Sequence, residues 1–140
     1  MPAPTLPVVF RHPLRVYWED TDAGGVVFYA NYLKFFERAR TEWLRSLGVG
    51  QQQLLEHEGL MFVVAETALR YLRAARLDDL LDITVAVAET GRVSLRLQQQ
   101  AWRGSELLAE GDIRIGCVGA RGPSHFRPCR IPAPILEKIQ

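Results

Sequence analysis

The stretch Glu19-Asp20-Thr21-Asp22-Ala23-Gly24-Gly25-Val26-Val27-Phe28-Tyr29-Ala30-Asn31-Tyr32 joins two different kinds of pattern. Before it, Leu14, Val16 and Trp18 alternate with Arg15, Tyr17 and Glu19, which predicts a strand with one polar-tipped face. After it, Tyr32, Phe36, Ala39, Trp43 and Leu47 recur every three or four residues, which predicts a helix over Asn31–Leu47 with Asn31 as its N-cap and Gly48 and Gly50 as its stop. Between the two lie a pair of aspartates around a threonine and two glycines that let the backbone turn sharply and approach a ligand closely.

Outward from that junction the chain reads as strands. Residues 1–13, with Pro2, Pro4, Pro7 and Pro13, read as an irregular lead-in, and residues 51–58 as a short second helix. Leu60–Leu72 is a long strand candidate, and Ala74–Asp79 a connection. Leu81, Ile83, Val85 and Val87 alternate with polar or small residues up to a hairpin at 89–92. A strand then runs to about Trp102 and another from Leu107 to Val118, where Ala109, Gly111, Ile113, Ile115 and Cys117 share a side whose small members let a helix pack close. A proline-rich tail, 119–134, leads to a short helix over Ala133–Ile139. The order predicts an α+β fold, an antiparallel sheet of about five strands wrapped around one early helix. Such a sheet leaves an edge or a face uncovered, so a dimer at minimum is expected.

Composition sets limits on function. With 140 residues, 48% hydrophobic and 24% charged, the chain reads as one globular domain. A net charge of +1 gives no case for nucleic-acid binding through bulk electrostatics. Cys117 and Cys129 lack metal-ligand spacing and read as reduced thiols of a cytoplasmic protein. His12, His57 and His125 are too scattered to form a metal site. Met1–Pro7 lacks the basic and apolar regions of a secretory signal, and no apolar run is long enough to span a membrane.

The chemistry, if any, lies at the junction. Asp22 can serve as general base or nucleophile, and the helix start beyond Gly25 supplies N–H groups able to hold an anion. The same residues also suit a plain Asx-type turn. Spacing alone does not separate these readings.

A longer comparison adds to this. The run from Val16 to Arg45, VYWEDTDAGGVVFYANYLKFFERARTEWLR, closely resembles the start of hotdog-fold acyl-CoA thioesterases, in the branch that spans 4-hydroxybenzoyl-CoA thioesterase-like and Tol-Pal-associated bacterial enzymes. The likeness continues through Phe62–Tyr71 and Ala75–Asp79 to Cys117. It implies a hotdog fold and acyl-CoA hydrolysis, with Asp22 as the catalytic carboxylate and the backbone N–H of Tyr29 polarising the thioester carbonyl. Gly24, Gly25, Val26, Asn31 and Tyr32 would shape the substrate side of that site. It further implies no cofactor, coenzyme A being part of the substrate, and a homo-oligomer, a dimer or dimer of dimers, with the acyl pocket at a subunit interface.

Arg70, Arg73 and Arg76 are candidates for the coenzyme phosphates or for a solvated face. Glu66, in an otherwise apolar strand, is a candidate for the pocket, the interface or a structural hydrogen bond. Many relatives in the Tol-Pal-associated branch carry histidine where this chain has Tyr29, whereas the 4-hydroxybenzoyl branch can carry tyrosine; a role played by a backbone group survives the change, but neither a histidine-assisted mechanism nor that branch's acyl preference carries over with it. Two other readings stay open: a hotdog hydratase or dehydratase, and a non-catalytic acyl-CoA or acyl-carrier-protein binding module with a cell-envelope partner.

Overall fold

The computed structural model describes residues 6–140; the lead-in prolines Pro2 and Pro4 lie outside this range. Strand β1 spans Val8–Arg15, β2 Leu60–Tyr71, β3 Leu80–Thr90, β4 Ser94–Arg103 and β5 Glu106–Gly119. They form one antiparallel sheet in the order β1-β3-β4-β5-β2. Helix α1, Asn31–Ser46, lies across its inner face, and the expected α+β hotdog architecture is present.

The helix packs as its spacing dictates. Tyr32, Phe35, Phe36, Ala39, Trp43 and Leu44 are all buried against the sheet, each large apolar side chain removed from water contributing about 1.5–3 kcal/mol. Facing them on β5 is Gly111, where an added Cβ would lie 3.1 Å from the Phe36 ring and 2.6 Å from Leu69 Cδ2, so the close approach of helix and sheet depends on that glycine. Gly48 ends the helix in the left-handed conformation, its N–H donating to Arg45 O.

The start of the chain differs from expectation. Residues 8–13 are not irregular: β1 pairs with β3 from Val8 onward, with His12 opposite Ile83 and Leu14 opposite Leu81. Pro13 is tolerated because β1 is an edge strand. The strand then stops at Arg15 instead of continuing to Glu19, because Trp18–Asp20 curls into a 3-10 turn. Val16 is fully buried, whereas Trp18, which alternation placed on the same side, is 80% exposed.

Residues 51–58 form a short helix over Gln51–Gln53 that widens into a π-type turn over Leu54–Glu58 and stops at Gly59. The tail is tied to the sheet, the Cys129 N–H donating to Cys117 O, before helix α3, Ala133–Ile139 (the Gln51–Gln53 turn counting as α2), closes over the core through Ile139. On the outer face of the sheet Arg114 pairs with Glu66, Arg70 with Glu110, and Arg96 with both Glu89 and Asp112.

Candidate active site

The aspartate loop is a tight antiparallel turn. Thr21 bridges to Val27 and Val26 to Arg76, so the loop is fastened to the connection that follows β2. The Asp22 N–H donates to Val26 O at 2.9 Å and the Gly25 N–H to Asp22 O at 3.0 Å, with Gly25 at φ +80°, a conformation side chains resist. One carboxylate oxygen of Asp22, Oδ1, accepts from the Gly24 N–H at 2.9 Å and the Val26 N–H at 3.4 Å. The other oxygen has no partner among the described residues, and the side chain is exposed. The turn reading and the chemical reading therefore coexist: one oxygen orders the loop and the other remains available.

Its neighbour Asp20 does something different. It is buried, and its Oδ2 accepts the Tyr17 N–H at 2.8 Å, closing the 3-10 turn. Its backbone oxygen accepts from the Phe28 N–H and from Asn31 Nδ2, each at 2.9 Å. Asn31 is accordingly not the N-cap. That position is Ala30, whose methyl group cannot cap, while the Asn31 amide is turned back to hold the helix start against the aspartate segment.

The helix entrance is left with free donors. Neither the Tyr29 nor the Ala30 N–H donates to a group among the described residues. The Tyr29 carbonyl, in contrast, accepts from the Tyr71 hydroxyl at 3.1 Å, which fixes the peptide plane. Tyr29 and Tyr32 both pack edge-on to Tyr71, with ring centroids 6.2 and 5.5 Å apart. The buried Tyr32 hydroxyl accepts the Ala75 N–H at 3.3 Å, and burial pushes its pKa up. Free N–H groups at the positive end of a helix, next to an exposed carboxylate, can stabilise an oxyanion while a base or nucleophile acts.

The remaining candidates scatter. Arg76 lies beside the loop through its bridge with Val26. Arg73 sits 3.9 Å from Glu106. Arg70 and Glu66 are on the outer face of the sheet, paired with Glu110 and Arg114, and are not brought to Asp22. One residue not singled out from sequence does belong here, Tyr71. Arg40, also not singled out, lines a cleft of about 430 Å³ between α1 and strands β2 and β5 together with Leu33, Glu37, Phe62 and Val64. Among the described residues no group of three or more His, Cys, Asp or Glu is placed to hold a metal ion, and no helix is long and apolar enough to cross a membrane.

A loop of this build on this fold defines a class. Residues 24–110 match the model of the thioesterase superfamily. The chain is 49% identical over 109 residues to the acyl-CoA thioesterase YbgC of Haemophilus influenzae, covering 78% of this chain and 80% of that one. It is 40% identical over 133 residues to the acyl-CoA thioester hydrolase YbgC of Escherichia coli, covering 94% and 96%. The crystal structure of a probable thioesterase from Bartonella henselae superimposes with a TM-score of 0.81 at 34% identity, over 87% of this chain and 98% of that one. The chain belongs to the thioesterase superfamily. It is an enzyme of the hotdog fold, a thioester hydrolase of the branch that these relatives represent.

Proposed function

We propose that this chain hydrolyses acyl-CoA thioesters at the junction of the Asp22 loop and the α1 entrance. The thioester carbonyl oxygen accepts hydrogen bonds from the N–H groups of Tyr29 and Ala30. As the carbonyl carbon becomes tetrahedral, negative charge grows on that oxygen, next to the positive end of the helix dipole. The free oxygen of Asp22 either takes a proton from an attacking water or attacks the carbonyl itself. In both courses the coenzyme thiolate leaves; in the second, water then cleaves the acyl-Asp22 anhydride, releasing the acid and restoring the carboxylate. Gly24, Gly25 and Val26 form the substrate side of the loop, Asn31 and Tyr32 hold the helix start in place, and Arg76, bridged to Val26, is placed beside the loop for a coenzyme phosphate.

The observation that carries this reading is the pair of unused N–H donors at Tyr29 and Ala30, beside a carboxylate with one oxygen free. Release of free thiol from acyl-CoA by the wild type and by Asp22→Asn tests it. Asparagine keeps an oxygen for the Gly24 N–H but has no charge, so the fold persists while turnover falls by about two orders of magnitude or more. Unchanged turnover would overturn the role of Asp22. Trapping an acyl-enzyme anhydride separates direct attack from water activation.

The same reading includes a second copy of the chain. Strand β2 is a twelve-residue edge without proline, and Val64 on it is 50% exposed, whereas the other edge carries Pro13. Pairing two β2 edges continues the ladder and closes the cleft beside α1; light scattering of the purified protein reports the copy number. Two free thiols, Cys117 and Cys129, support placement in a reducing cytoplasm.

A further inference from the structure

Arg40 is an unusual residue to find inside this helix–sheet interface. It is only 8% exposed, and its Nη1 donates to Gln99 Oε1 at 3.0 Å. Gln99 is itself fully buried and fully committed, its amide nitrogen donating to Phe36 O at 3.0 Å and Thr84 O at 3.3 Å. Among the described residues no carboxylate lies within ion-pair distance of Arg40. Glu37, one turn earlier, is exposed and makes no bond to it, although its charge partly offsets the lowering of the guanidinium pKa that burial causes.

Most of the guanidinium donors are therefore unused, and they are not sealed in. No buried side-chain nitrogen or oxygen of the described residues lacks a hydrogen-bond partner, so the unbonded nitrogens of Arg40 open onto accessible space. That space is the cleft beside α1, with Leu33, Leu44, Phe62, Val64 and Ile113 among its walls and Lys34 and Glu37 also lining it. A cleft meant only for a hydrocarbon tail gains nothing from a buried cation with no counter-ion, since taking the charge out of water is costly and a leucine or methionine would fill the place. A planar fork of N–H donors partway along a cleft that continues past it to Leu44 matches a carboxylate, which it binds bidentately.

The position fits the reaction. Arg40 lies about 14 Å along the axis from Asn31, at about 1.5 Å per residue, and helical side chains lean back toward the N-terminus. An acyl chain whose carbonyl sits at the helix entrance and whose tail follows α1 past Leu33 carries its far end to the guanidinium. We infer that the acyl group this cleft selects bears a terminal carboxylate: the substrate class is the mono-CoA thioester of a medium-length dicarboxylic acid, read by Arg40. This rests on the thioester-hydrolase reading above and adds to it what the cleft recognises at the far end of the acyl chain.

Matched pairs test it: adipoyl-CoA against hexanoyl-CoA and suberoyl-CoA against octanoyl-CoA, with kcat/KM measured for the wild type, Arg40→Lys and Arg40→Met. The wild type favours the carboxylated member of at least one pair tenfold or more, Arg40→Met loses that ratio, and Arg40→Lys retains part of it. A wild-type ratio near or below one overturns the inference even if neither variant folds. So does a change of subunit number in Arg40→Met with the ratio unchanged, which would assign the guanidinium to a contact between copies. Calorimetric binding of the same four thioesters to Asp22→Asn keeps the two readings apart. If no thioester is hydrolysed by the wild type, the hydrolase reading falls, while tighter binding of the carboxylated members still supports the assignment of Arg40 and equal affinities overturn it.

Discussion

The hydroxyl of Tyr71, at the end of β2, donates to the carbonyl oxygen of Tyr29 at 3.1 Å and so ties the edge of the sheet to the peptide just ahead of α1. The Tyr29–Ala30 peptide plane, and with it the direction of the Ala30 N–H, is set from across the molecule and not by the helix alone.

Tyr71→Phe removes that bond and keeps the ring contacts with Tyr29 and Tyr32. A hydrogen bond of about 0.5–1.5 kcal/mol corresponds to a fall in kcat of roughly two- to twelvefold, with KM moving less because the change is in orientation and not in a substrate contact. Thermal unfolding stays close to wild type, since Tyr71 is half exposed. Steady-state kinetics with a melting curve on the same preparation checks both parts.

The two aspartates separate by phenotype. Asp20→Ala strips the acceptor from the Tyr17 N–H in a buried setting and costs about 1–3 kcal/mol of stability, read by urea unfolding. Asp22→Asn leaves the unfolding curve in place and affects turnover.

Gly111→Ala tests the approach of helix and sheet. Its methyl group would meet Leu69 Cδ2 at 2.6 Å, Ile113 Cδ1 at 3.0 Å and the Phe36 ring at 3.1 Å, all in the packed interior. Overpacking of this kind costs about 1–3 kcal/mol, and a lowered denaturant midpoint with an unchanged slope is the expected result.

Asp79 gives the fold a pH dependence. Burial pushes its carboxyl upward, but hydrogen bonds from Arg103, at 2.7 Å, and from the Arg76 N–H, with the charges of both arginines, outweigh that and hold it below the usual carboxylate value. A carboxyl depressed in the folded state binds its proton more readily when unfolded. Its contribution is therefore complete above the unfolded value of about 4 and disappears as pH falls through the lower folded value. Arg103→Gln flattens the acid limb of a stability-against-pH curve, measured by thermal unfolding between neutral and acidic pH.

The two thiols differ in reactivity. Burial, with a smaller effect from Cys129, pushes the Cys117 thiol up to about 11, so at pH 8 it is protonated and shielded. Iodoacetamide labels Cys129 before Cys117, as peptide mass spectrometry of the folded protein can show.

The helix, the β3–β4 hairpin and the inner row of β5 were legible because their periodicity is uninterrupted. The site was legible in its carboxylate and glycines but not in its supports, and β2 shows why. Phe62 pairs with Cys117 and Val64 with Ile115 on the α1 side, but the register then slips by one residue before Glu66. Alternation counted from Phe62 places Glu66 inward and Tyr71 outward; the bulge reverses both, sending Glu66 to Arg114 and turning Tyr71 toward Tyr29 and Tyr32. A one-residue slip leaves no composition signal. Trp18 was misplaced for a related reason, since the 3-10 turn that breaks its alternation is held by the Asp20 side chain and the Tyr17 N–H, a contact set by geometry and not by period.

The unequal edges of the sheet have a consequence for growth. Two copies joined along β2 would turn their β1 strands outward, and each of those carries Pro13, which has no N–H to offer a third chain. In such a pair, the outer edges would each lack one ladder donor, which disfavours the addition of a further strand there.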